Sequence, residues 1–67
     1  MIEVSVNGET RQVPPDATVA VLLDDMQLTG KRLAVERNGE IVAKSRHGAT
    51  ALLAGDKLEI VVAVGGG

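Results

Sequence analysis

The chain has 67 residues, 45% of them hydrophobic and 24% charged, a formal net charge of −2, and no Cys, Phe, Trp or Tyr. One domain fits this length, burying only roughly 60% of the surface its unfolded chain exposes, and its core must be purely aliphatic. The lack of stacking rings and the slight acidic excess argue against nucleic acid as a partner; the lack of Cys removes disulfides, thiolate metal sites and persulfide chemistry and suits a reducing cytosol; and with neither a leader pattern nor an apolar run near ~20 residues, a soluble, cytoplasmic chain without a membrane partner is expected.

Ile2, Val4 and Val6 alternate with Glu3 and Ser5, the period of a half-buried strand, and Asn7-Gly8 supplies a type I′ hairpin turn into a second strand from Glu9 to Val13. Pro14-Pro15-Asp16 stops that strand, and Thr18, ahead of Asp16, is the better cap for the helix that follows. Val19, Leu22, Leu23 and Met26 form one apolar stripe, with Asp24, Asp25 and Gln27 toward solvent. Gly30 is suited to the left-handed conformation that ends many helices. Arg32 to Arg37 and Glu40 to Ala43 flank Asn38-Gly39, a second hairpin signal. Lys44 to Thr50 reads as a loop or single turn before Leu52 and Leu53 return to the core, and Ala54-Gly55-Asp56-Lys57 as a turn. The final strand, Leu58 to Val64, places Leu58, Ile60, Val62 and Val64 on one face and Glu59, Val61 and Ala63 on the other. This order predicts an α+β roll of the β-grasp type, a mixed sheet covered on one face by a single main helix, spanning 1–64 with a tail at 65–67.

The chain closes on Gly65-Gly66-Gly67 directly after its most apolar strand. Such a tail is expected to be a flexible arm with a reach of roughly 10 Å, carrying the Gly67 carboxylate. Glycines lack a Cβ, so the tail can thread a narrow channel and leave its carbonyl open to attack from either side; plain fraying is the competing explanation. His47, the sole histidine, has no Cys or second His to join it in a metal site and reads as a surface or loop residue. Lys44 and Arg46 make a small basic cluster that can meet an acidic partner surface, although short charge runs are usually solvated. Ser45 has no neighbouring base, so nucleophilic catalysis is not indicated. Glu36, Glu40, Asp56 and Glu59 read as solubilising acids, since a roll this small has little concave volume in which to desolvate them. Val61 and Ala63, apolar on what should be the outer sheet face beside the tail, suggest a docking patch.

The order Val6-Asn7-Gly8-Glu9, Thr18-Val19 with Leu22-Leu23, Ala34 to Val42 across Asn38-Gly39, Gly55-Asp56, and Glu59-Ile60-Val61 running to Gly65-Gly66-Gly67 resembles the ThiS family of thiamine-biosynthesis sulfur carriers over the whole chain. The resemblance implies a ubiquitin-like β-grasp fold and a non-enzymatic carrier. Its Gly67 carboxylate would be adenylated by a ThiF-like enzyme using MgATP, neither bound by the chain itself, and converted to a thiocarboxylate. The sulfur would come from a donor such as a cysteine desulfurase and pass to thiazole synthase, ThiG. Gly66 and Gly67 match the family's usual terminal pair, and Gly65 adds reach. Related readings are a molybdopterin-synthase small subunit, which is usually longer, a ubiquitin-like protein modifier, and a plain interaction module in which the tail is irrelevant.

Overall fold

The computed structural model describes residues 1–63; Val64 and the tail Gly65, Gly66 and Gly67 lie outside the described residues. Five strands and one α-helix follow in the order β1 (Ile2–Val6), β2 (Glu9–Val13), α1 (Val19–Asp25), β3 (Leu33–Arg37), β4 (Glu40–Val42) and β5 (Lys57–Val62), with a 3₁₀ turn at Lys44–Arg46. The sheet order is β2-β1-β5-β3-β4, with β1 and β5 parallel and the other pairs antiparallel. This mixed sheet under one helix is the β-grasp arrangement expected from the sequence.

Both hairpins form at the Asn-Gly pairs. Asn7 and Gly8 sit at φ 51° and 86°, and Asn38 and Gly39 at φ 53° and 87°, the two consecutive left-handed residues a type I′ turn requires. Register places Ile2, Val4 and Val6 of β1, Val13 of β2, Val35 of β3 and Leu58 and Ile60 of β5 on one face. Against that face α1 lays Val19 and Leu22, both fully buried, and Leu23. The resulting core is entirely aliphatic.

The helix has seven residues, too few to persist alone, so its ends are tied down by neighbours. Thr18 caps it as expected, its Oγ1 accepting from the Val21 N–H at 3.3 Å. The N–H groups of Val19 and Ala20 donate to the carbonyls of Thr50 and His47, so the 47–50 connector satisfies donors that a helix start otherwise leaves bare.

At the other end the sequence reading needs correction. Gln27, at φ 60°, takes the left-handed position assigned above to Gly30. Leu28 N–H donates to the Leu23 carbonyl and Gln27 N–H to that of Asp24, a Schellman closure that packs Leu28 against the core. The helix ends where this apolar contact closes it, and Gly30, at φ 85°, serves the following turn instead.

Leu52 is fully buried, but Leu53 is 60% exposed rather than returned to the core. Its N–H donates to Asp56 Oδ2 at 2.8 Å, which sets a turn whose side chain points outward. Asp56 itself is buried, not a solubilising acid, and β5 starts one residue earlier than expected, at Lys57.

Candidate functional site

The element that carries the tail is the central strand of the sheet. β5 pairs with β1 through Ser5–Lys57 and Val6–Leu58 and with β3 along Leu33 to Arg37. Where β1 turns away, the Asn7 side chain continues in its place: Nδ2 donates to the Ile60 carbonyl at 3.1 Å, and Oδ1 accepts from the Ile60 N–H at 2.8 Å. Beyond Ile60 the strand is held from the β3 side, and Ala63 N–H donates to the Arg32 carbonyl at 2.9 Å. Those bonds hold the described chain as far as Ala63.

The start of β5 is fixed by a polar cluster. Asp56 Oδ2 accepts from Arg37 Nε at 2.7 Å and from the Leu53 N–H, and Asp56 Oδ1 accepts from Asn38 Nδ2 at 3.0 Å. Asn38 Oδ1 in turn accepts from the Lys57 N–H at 2.9 Å. Burial raises the Asp56 pKa, but the bonds from Arg37, Leu53 and Asn38 and the guanidinium charge outweigh it and hold the carboxyl below its ordinary value near 3.8. The cluster is structural. Each hairpin asparagine therefore shapes its turn and also clamps β5, a second role that an Asn-Gly dipeptide does not advertise.

Val61 and Ala63 lie exposed on the outer face of the sheet, where strand alternation put them. Val61 is 67% exposed and sits opposite Ala34; Ala63, also exposed, follows at the strand exit. Ile41, 67% exposed, extends this face through the Glu36–Ile41 pair, and Glu36 lies directly across from Glu59. Like charges facing each other across strands are mildly destabilising. Val62 shares the core face with Leu33 yet is 37% exposed, because it lies at the strand's end. Ile41 was legible in principle: alternation with the half-buried Val42 puts it outward.

His47 lies in a connector, as expected, but is buried rather than on the surface, its Nε2–H donating to the Val42 carbonyl at 3.1 Å. Lys44 and Arg46 are exposed. Among the described residues no cluster of His, Cys, Asp or Glu could hold a metal ion, and no helix is long and apolar enough to cross a membrane. Gly65, Gly66 and Gly67, the residues that would carry the chemistry, lie outside the described residues.

The ThiS family model matches residues 4–67, a span that includes Gly67. The chain belongs to the ThiS family. Among its relatives, the sulfur carrier protein ThiS of Bacillus subtilis is 41% identical over 63 residues, covering 92% of this chain and 96% of that protein. Thiazole synthase of Paramagnetospirillum magneticum is 47% identical over 62 residues, covering 92% of this chain. The chain spans only 19% of that synthase, and 20% of the thiazole synthase of Magnetococcus marinus, to which it is 32% identical. In structure it is similar to the crystal structure of the thiamine biosynthesis protein ThiS from Geobacter metallireducens, with a TM-score of 0.82 and 29% identity over 98% of this chain and all of the other.

Proposed function

We propose that this chain is a sulfur carrier in the biosynthesis of the thiamine thiazole, with residues 1–64 as the body that partner enzymes recognise and Gly65, Gly66 and Gly67 as the arm they process. The observation that carries this reading is the coincidence of a ThiS-family match reaching Gly67 with a central strand anchored up to Ala63. The name of the Bacillus subtilis relative, nearly all of which this chain covers, supports the carrier role. Names of two longer relatives support thiazole synthase as the acceptor.

The chemistry follows from the weakness of a carboxylate as an electrophile, since its negative charge repels a sulfur nucleophile. A ThiF-like adenylyltransferase is proposed to join the Gly67 carboxylate oxygen to the α-phosphorus of ATP, with pyrophosphate leaving and Mg²⁺ held by that enzyme. The terminal sulfur of a persulfide on a donor such as a cysteine desulfurase then attacks the acyl carbon and displaces AMP, forming an acyl disulfide; a thiol attacks the donor's sulfur, joining it in a new disulfide and releasing the Gly67 thiocarboxylate. Thiazole synthase accepts the sulfur. The carrier contributes no catalytic group; it presents the arm, and Val61, Ala63 and Ile41 supply an apolar docking face for a partner. Burial of the arm in each partner limits hydrolysis.

Deleting the chain from its host is expected to create a thiamine requirement while molybdoenzyme activity persists. Loss of molybdoenzyme activity with thiamine synthesis intact would assign the chain to molybdopterin synthesis instead.

A further inference from the structure

On the helix side of the sheet, opposite the Val61 face, lies a groove of about 480 Å³ floored by Leu23, Leu28 and Leu33. Lys31, Arg32 and Lys44 stand on its walls, and none of the three forms an ion pair among the described residues. They are three of only seven basic residues in a chain of net charge −2, so the groove is a local reversal of the molecule's overall sign. Asp24, the acid on the wall, accepts a hydrogen bond from Thr29 Oγ1 at 3.4 Å.

The groove also adjoins the exit of the tail. Arg32, on its wall, accepts the backbone bond from Ala63, and Leu33, on its floor, pairs with Val62. The last described residue, Ala63, is thus bonded at the groove's wall. The polar groups on the wall with a bond of their own, His47 to the Val42 carbonyl and Thr29 to Asp24, are already occupied, and the positive charge sits on the exposed heads of Lys31, Arg32 and Lys44, which suit a charged protein surface.

Resting on the carrier reading above, we propose that this groove is a second docking site, which takes an acidic segment with an apolar anchor from the enzyme that accepts the tail. The anchor covers Leu23, Leu28 and Leu33, and its flanking carboxylates meet Lys31, Arg32 and Lys44. The outer-face patch around Val61 and this groove then hold the strand exit from both sides.

The test is calorimetric titration of the full chain into thiazole synthase, comparing the parent with K31E/K44E and with V61D. Both lysines are exposed and Val61 lies outside the core, so folding is checked by circular dichroism and should be unchanged. The expected result is an affinity loss of about tenfold or more for K31E/K44E, with parent binding that weakens as salt rises and a variant that has lost most of that dependence. An affinity within about twofold of the parent and an unaltered salt dependence would overturn the proposal. Other occupants are separately visible. Amide shifts of groove residues on removal of residues 65–67 from the free chain would assign the groove to the chain's own tail, and concentration-dependent sedimentation abolished by K31E/K44E would assign it to a second copy; either contradicts the proposal. Absence of any parent binding would defeat the synthase-partner reading itself and the groove proposal with it.

Discussion

A chain lacking Gly67 alone is expected to fold as the full chain does and yet fail to support thiamine-independent growth. The last bond described on the strand runs from Ala63 to Arg32, and the family match, not the core, extends to Gly67. Its removal therefore touches none of the described packing, and stability should shift by no more than about 0.5 kcal/mol. Function is another matter. Shortening the arm by one residue withdraws the terminal carboxylate by roughly 3.5 Å. A misplacement of only about 1 Å can cost about 100-fold in a positioned reaction. Full growth on the shortened chain, at normal expression, would show that the tail is not the functional group and return the chain to a plain interaction module.

A large stability effect is expected at Asp56. Replacing it with Ala removes the acceptor for Arg37, Asn38 and the Leu53 N–H at once, and leaves donors of a partly buried cluster unpaired. The expected cost is roughly 2–3 kcal/mol, which in a domain of this size lowers the thermal midpoint by about 10–20 °C. Because the folded-state pKa lies below the ordinary value near 3.8, the carboxylate's contribution is fully present above that value and fades as pH falls through the lower, folded pKa. The gap between the parent and D56N should therefore be widest near neutral pH and shrink below about pH 4. Thermal melts over that range check both statements, and a pH-independent gap would contradict the assigned role.

Much of the architecture was legible because local signals agreed with each other. The period of Ile2, Val4 and Val6, the stripe from Val19 to Met26, and the two Asn-Gly dipeptides each encode geometry within a few residues, and each appears in the structure where it was read. What failed depends on contacts across the fold. Gln27 rather than Gly30 closes the helix because Leu28, next in the chain, packs against the core, a tertiary gain that outweighs intrinsic preference. Asp56 looked like a surface turn residue; only the β3–β4 hairpin brings Arg37 and Asn38 to it. Leu53 turns outward because its own amide is held by that same carboxylate. The exposure of Val61 followed from strand alternation, whereas the groove beneath the helix joins residues from three separate segments and has no signature in any one of them. The run Gly65-Gly66-Gly67 is seen in the sequence without any fold, and the described residues stop short of it.

The most direct test of the carrier account is intact-mass spectrometry of the full chain after incubation with a ThiF-like adenylyltransferase, MgATP and a sulfur source. A gain of about 16 Da, the exchange of one oxygen for sulfur expected of an activated acyl group, is predicted, with fragmentation placing it on Gly67. An unchanged mass despite ATP turnover would contradict sulfur carriage and favour a protein modifier, and absence of turnover would contradict activation of the tail altogether.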